Sequence, residues 1–258
     1  MTRIGDIEHR TVDRDEEGNS PSLDILRTSS VPTLANALEL FGIVPANQGF
    51  TTRPLMCHYP DLGMLVGRAV TLRASTNQPQ GMAPAPLDEP SYWRYLERCL
   101  DPTVVVVQDL DDPPGGAMWG EWNSNVHKAL GCVGTITQGA VRDLDAVARL
   151  DFHFFSTTVS VAHGYGRFID WGSPVSVAGL TVSTGDLLVA DRHGVLRIPP
   201  EVDLGHLVDV ANEIDALESE IFALCQSDHF TVDALVELSR SVRNRWPRPG
   251  GREAPTAV

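Results

Sequence analysis

GGAMWGEWNSNVHKALGCVGTITQGAVRD, residues 115–143, holds the segment from which the fold can be read. It opens as a glycine loop, passes into a helix predicted over residues 122–130, enters the strand-like CVGTITQG (132–139) and ends on the adjacent Arg142 and Asp143. Immediately upstream, TVVVVQDL (103–110) is a β-branched run of the kind found in strands covered on both faces. It empties into DDPPGGAMWGE (111–121), whose Pro and Gly content predicts a loop. Strand, loop, helix, strand and charged pair follow in the order expected of an α/β protein, where sites gather at the carboxyl ends of strands.

The same reading extends in both directions. Upstream, SSVPTLANALELFG (29–42) has Ser and Thr cap candidates, Pro32 near a first turn, apolar spacing at Leu34, Leu38 and Phe41, and Gly42 as a stop, which together predict a short amphipathic helix. GRAVTLRAS (67–75) reads as a strand, NQPQGMAPAPLDEP (77–90) as a loop and SYWRYLERCL (91–100) as a helix. Downstream come a helix at RDLDAVARL (142–150), a strand at FHFFSTTVSV (152–161), and a β-rich section holding PVSVAGLTV (174–182) and DLLVADRHGVLRIP (186–199), with DRHG as a hairpin turn. A long helix over roughly 202–226 precedes a frayed end rich in Pro, Gly and Arg. The expected organisation is an acidic N-terminal arm (1–24), one layered α/β domain (25–227) and a C-terminal extension (228–258).

Composition narrows the function classes. The formal charge of −14, without a basic cluster, disfavours nucleic-acid backbones and anionic membranes and points to a small molecule or a protein as partner. The charged opening and the lack of a run of about eighteen apolar residues predict a soluble cytoplasmic protein. Cys57, Cys99, Cys132 and Cys225 form no CxxC pair, so neither a zinc knuckle nor a redox dithiol is indicated. GxSxG, phosphate-loop and HExxH patterns do not occur, which removes the usual sequence support for hydrolases of those types.

What remains for chemistry is the 115–143 segment. The amides of Gly115, Gly116, Ala117, Met118, Trp119 and Gly120 precede a helix and suit a carboxylate or nascent enolate oxygen. Arg142 offers a planar fork for a carboxylate or ketone oxygen, and Asp143 a hard oxygen ligand for Mg²⁺ or Mn²⁺. Without that context, an Arg-Asp pair opening a helix is a cap plus a surface charge, and Glu121 is a first-turn acid favoured by the helix dipole. His163, beside Gly164, is the histidine expected to touch substrate, His127 is expected on an exposed helix face, and Asp191 is expected to shape its turn. On the last helix, Leu204, Leu207, Ala211, Ile214, Leu217 and Ile221 form an apolar stripe, and Glu218 falls inside it, about 20° from Leu207. A carboxylate there needs a partner, either a cation across an interface or a metal-bound water.

These features together resemble the ribonuclease-activity-regulator-A-like family, which includes 4-hydroxy-4-methyl-2-oxoglutarate and 4-carboxy-4-hydroxy-2-oxoadipate aldolases. Glu121, twenty intervening residues and Arg142-Asp143 match its signature, while SSVPTLANALELFG, GRAVTLRAS and TGDLLVADRHGVLRIP are similar to its first helix, early strand and late hairpin. The resemblance implies a swivelling β/β/α sandwich, assembly as a homotrimer or hexamer, and sites at subunit interfaces. It implies that Asp143 binds Mg²⁺ or Mn²⁺, that Arg142 holds a small 2-oxo acid, that Glu121 positions metal-bound water, and that Glu218 of a neighbouring subunit supports the metal waters. The expected reaction is retro-aldol cleavage or decarboxylation through an enolate, releasing pyruvate. The alternatives are a non-catalytic regulator that binds a ribonuclease, or the same chemistry on a sugar-derived 2-oxo acid. Asn36, Gln138 and Thr184 stand where the family commonly has Asp, Asp and Pro, and none of these positions carries a metal or substrate ligand.

Overall fold

The computed structural model describes residues 23–77, 79, 88–99 and 102–247. The predicted arm up to residue 22, most of the 77–90 loop and the end beyond residue 247 lie outside them. In chain order the elements are α1 (Val31–Glu39), β1 (Met56–Cys57), β2 (Leu65–Ser75), α2 (Glu89–Leu96), β3 (Thr103–Asp109), β4 (Ala117–Trp119), α3 (Glu121–Ala129), β5 (Cys132–Thr137), β6 (Ala140–Val141) and α4 (Leu144–Ala148). They continue with β7 (His153–Ser156), β8 (Thr158–Val159), β9 (Arg167–Trp171), β10 (Val175–Val177), β11 (Leu180–Val182), β12 (Leu187–Asp191), β13 (Gly194–Ile198), α5 (Leu204–Cys225) and α6 (Val232–Arg245).

An eight-stranded sheet in the order β1-β7-β5-β3-β2-β12-β13, with β9 also paired to β2, forms the middle layer. Strands β2, β3, β5 and β7 are parallel, so each crossover needs a connection, and α2, α3 and α4 lie in those connections. The run of valines in β3 follows from burial on both faces. Val105 and Val107 pack with Tyr92 and Leu96 of α2 and Val147 of α4, whereas Val104 and Val106 pack with Val175, Val177 and Leu180 of the β10–β11 hairpin. The result is a small β layer, a large β layer and a helical layer, matching the expected α/β class.

A third cluster joins α1 and α5 to β12 and β13 through Leu34, Leu38, Val189, Leu196, Leu207 and Ile214. The α1 start is the one expected from sequence: Ser30 Oγ accepts the Thr33 N–H at 3.2 Å, and Pro32 occupies the first turn. Asp191 shapes its hairpin by accepting the His193 N–H at 2.8 Å, and its other oxygen accepts the Val31 N–H at 3.3 Å, tying the turn to α1.

Several expectations are corrected. The described residues that follow α5 are not frayed chain. They form α6, capped by Thr231 Oγ1 on the Ala234 N–H and held to α5 by paired hydrogen bonds from Arg245 to Glu220. The supposed loop 111–121 contains β4, and the apolar stretches 152–161 and 174–182 are each broken into two short strands. His127 is not on an exposed face but wholly buried; Nδ1 donates to the Asn123 carbonyl at 2.6 Å, which leaves Nε2 to accept from Tyr92 Oη at 3.0 Å, with the Trp119 ring centred 4.4 Å away and tilted by 49°.

Burial lowers the His127 pKa to about 4, and burial with the nearby Arg27 does the same for His153. Because both folded values lie below that of a free imidazole, the unfolded chain binds more protons between the two, and stability falls as pH drops from about 6.5 to 4. Asp109, raised by burial to about 6, acts in the opposite sense, but one carboxyl opposes two imidazoles. Urea unfolding should show a loss of up to about 1.4 kcal/mol per pH unit for each histidine. His127→Phe should be less stable at pH 7, since the Tyr92 hydroxyl loses its partner, yet show a shallower decline toward pH 4; an unchanged slope would contradict this assignment.

Candidate active site

Beyond the carboxyl ends of the parallel strands, the chain builds a second, three-stranded parallel sheet in the order β4-β6-β8. The Arg142 N–H extends this ladder by donating to the Trp119 carbonyl at 2.9 Å, so Arg142 and Asp143 emerge beside the start of α3. Asp143 precedes α4 with φ 59 and ψ 37, a left-handed conformation that Asp tolerates better than most residues. Its side chain does not cap α4. It turns instead to α3, where Oδ2 accepts the Glu121 N–H at 3.0 Å and lies 3.4 Å from Arg142 Nε. The carboxylate thus satisfies a donor at a helix N-terminus, where negative charge is favoured.

Gly120 makes this approach possible. A Cβ there would lie 2.4 Å from Asp143 Oδ2 and 3.0 Å from Arg142 Cγ. Two open clefts meet at the pair. One, of about 490 Å³, is lined by Glu121, Trp122, Asn125, Val126, Arg142 and Asp143; the other, of about 410 Å³, by Arg142, Asp143, Leu144, Val159, Ser160 and Val161.

A polar knot fastens the glycine loop behind the site. Asp111 Oδ2 accepts the Thr76 and Asn77 N–H groups and the Ser75 hydroxyl; burial works to raise this carboxyl, but these bonds prevail and hold it below its ordinary range. Thr76 Oγ1 donates to Asp109 and accepts the Gly115 N–H at 2.8 Å. The Ala117 N–H donates to the Ala162 carbonyl at 2.7 Å. Two amides of the expected oxyanion cradle are therefore engaged inside the protein. Gly116 is closed in as well, since a Cβ there would lie 2.4 Å from the Gly164 nitrogen.

Of the residues singled out from sequence, Glu121, Arg142 and Asp143 come together, with Gly120 beneath them. Trp119 does not wall a cleft; at 1% exposure it belongs to the core, against His127 and Phe168. Met118 lies in the same short strand, its sulfur beside Gly166. His163 is exposed, bonds the Gly164 carbonyl at 2.7 Å and lines neither cleft. Glu218 is half-buried on α5 and lines neither cleft, and among the described residues no three His, Cys, Asp or Glu side chains converge in one chain. Trp122, Asn125 and Val126 escaped the sequence reading, although each follows from helical spacing once Glu121 opens α3.

Gly120→Ala should retain the fold, since its φ of −157 is ordinary extended backbone, while displacing the Asp143 carboxylate. Amide exchange at Glu121 should accelerate by about tenfold or more, the equivalent of losing a hydrogen bond to a charged group. Unchanged exchange would mean that Asp143 does not hold that N–H.

Among the described residues no helix is long and apolar enough to cross a membrane. The chain is 27% identical over 125 residues to Protein DlpA of Legionella pneumophila, covering 48% of this chain and 20% of that one. It is 33% identical over 102 residues to a protein of Halalkalibacterium halodurans whose name proposes 4-hydroxy-4-methyl-2-oxoglutarate aldolase activity, covering 38% and 47%. The chain thus spans less than half the length of either relative. The structure of Streptomyces coelicolor RraAS2, titled an unusual member of the RNase ES inhibitor RraA protein family, shares the fold with a TM-score of 0.57 and 22% identity, over 80% of this chain and 98% of that one. The RraA-like family model, described as Aldolase/RraA, matches residues 31–197, a span that holds both clefts and every residue meeting at Asp143, and the chain belongs to that family.

Proposed function

We propose that this protein is a divalent-metal-dependent lyase that cleaves or decarboxylates a small 2-oxo acid, releasing pyruvate. The observation that carries the reading is the convergence of Glu121, Arg142 and Asp143 on one cleft, with Asp143 bonded across to the helix that bears Glu121. A guanidinium held at Nε by Asp143 and two carboxylates in an open cleft suit an anionic substrate bound beside a cation.

The donor set fits Mg²⁺ or Mn²⁺. Asp143 Oδ2 is engaged by the Glu121 N–H, and Oδ1 has no hydrogen-bond partner among the described residues. Mg²⁺ commonly binds through one or two carboxylates and keeps several waters, so Asp143, aided by Glu121, is a sufficient protein contribution from one chain. Such a cation, when bound, supplies a Lewis acid that stabilises enolate charge on the 2-oxo group.

The chain's own residues account for the rest. Arg142 presents its planar fork to the substrate carboxylate, which fixes the 2-oxo group beside Asp143. The first intrahelical bond of α3 is Ser124 N–H to the Gly120 carbonyl, so the Trp122 and Asn123 amides precede it and supply the anion-favouring helix start in place of Gly115 and Ala117. Glu121 directs the proton that leaves the C4 hydroxyl and is returned to C3. Decarboxylation of an oxaloacetate-like acid produces the same enolate and needs no proton removal from C4. We assign Glu218 to the site of a neighbouring subunit in a homotrimer or hexamer, an assignment supported by its half-buried place on the apolar stripe of α5.

A panel of 4-hydroxy-2-oxo acids and oxaloacetate with Mg²⁺ or Mn²⁺ should yield pyruvate, and Asp143→Ala should abolish turnover while leaving the fold intact. Turnover that survives Asp143→Ala or exhaustive chelation contradicts the metal-lyase reading, and no pyruvate from any substrate favours a non-catalytic regulator. Arg142→Lys should lose on the order of 10²–10³ in kcat/KM, because an ammonium cannot reproduce the fork. For the composite site, Arg142→Ala and Glu218→Ala should each be poor catalysts, whereas oligomers refolded from the two together should recover activity. Absence of recovery in verified mixed oligomers would make Glu218 an ordinary interface carboxylate.

A further inference from the structure

The two clefts share Arg142 and Asp143 and differ in everything else. Their other walls are Trp122, Val126 and Asn125 on one side and Leu144, Val159, Val161 and Ser160 on the other. Each cleft falls within the size range of ligand pockets, about 300–1,000 Å³, and is larger than a three-carbon 2-oxo acid head requires. Among the described residues that line them, Arg142 is the one cation, and it is engaged by the head. Glu121 adds a carboxylate to the first cleft.

Trp122 is 78% exposed, on the first turn of α3 and one residue from Glu121. An indole in that position is a flat apolar wall at the edge of the reacting groups, with a ring face open to stacking. A second carboxylate on C4 of the substrate would find no second cation among the described residues that line the clefts and would face Glu121, so like-charge repulsion would oppose it. An alkyl or aryl group on C4 would instead cover the indole and Val126.

Resting on the reading of the site as a 2-oxo acid lyase, we propose that its substrate class is 4-hydroxy-2-oxo monocarboxylates with an apolar group on C4, and that Trp122 determines this preference. In the reaction the C3–C4 bond breaks, its electron pair passes into the pyruvate enolate, and C4 with its oxygen becomes the carbonyl of an apolar aldehyde. The proton lost from the C4 hydroxyl ends on C3 of pyruvate, so no oxidant or further reactant is needed.

The test compares 4-hydroxy-2-oxo acids bearing phenyl or isobutyl on C4 with 4-hydroxy-2-oxoglutarate, using the full chain with Mg²⁺ or Mn²⁺ and reading pyruvate. The apolar compounds should be preferred by about tenfold or more in kcat/KM, and Trp122→Ala should erase most of that preference. Calorimetry with uncleaved analogues gives a second readout: phenylpyruvate should bind more tightly than 2-oxoglutarate to the wild type, and the difference should shrink in Trp122→Ala. Equal or better cleavage of 4-hydroxy-2-oxoglutarate, or a preference unchanged in Trp122→Ala, would overturn the tail assignment while leaving the lyase reading in place. No pyruvate from any compound, together with no binding of either analogue, would overturn the lyase reading and this inference with it.

Discussion

The hydrogen bond from the Glu121 N–H to Asp143 Oδ2 joins the two halves of the site, and the local structure is arranged around it. Its 3.0 Å length requires Asp143 to adopt a left-handed backbone at the β6–α4 junction and requires Gly120 to carry no Cβ. A left-handed non-glycine residue is uncommon and is sustained only where its surroundings over-determine it. Here the surroundings are the β4-β6-β8 ladder, which holds the Arg142 backbone against the Trp119 carbonyl. The carboxylate caps α3 through Oδ2, and in the proposed reading it is also the hard oxygen ligand of the cation.

This arrangement rests on the sheet beneath it. Strand β3 leads through the 110–116 loop into β4, whereas β5 and β7 pass through short turns directly into β6 and β8. Burial of the large sheet on both faces fixes where those strands end, and so fixes the height of the second sheet. The knot of Ser75, Thr76, Asp109 and Asp111 then ties the 111–116 loop to the end of β2 and engages the Gly115 amide inside the protein. The net charge of −14 makes Arg142 the more significant as a cation in both clefts.

Elements with a clear period were legible in the sequence: α1 from its cap and proline, β3 from its valines, the β12–β13 hairpin from DRHG, and α5 from its apolar stripe. Strands of two or three residues, such as β4, β6 and β8, are too short to show a period, and they are what brings Arg142 and Asp143 to α3. The Gly115 amide was misassigned because its acceptor, Thr76 Oγ1, lies 39 residues away, beyond any local pattern. His127 was misread because the face of α3 that carries it is polar and packs through hydrogen bonds to Tyr92 and Asn123 rather than through apolar spacing. The sequence reading missed α6, although Thr231 is a cap and Leu235, Leu238 and Val242 recur at helical spacing, because the Pro, Gly and Arg residues beyond it dominate the composition of the segment.

Binding of Mn²⁺, followed by electron paramagnetic resonance with and without pyruvate, addresses the central claim without depending on turnover. The account predicts one Mn²⁺ site per chain whose affinity rises when pyruvate is added, with binding lost in Asp143→Ala and the pyruvate effect lost in Arg142→Ala. Mn²⁺ binding that is the same in Asp143→Ala as in the wild type would contradict it.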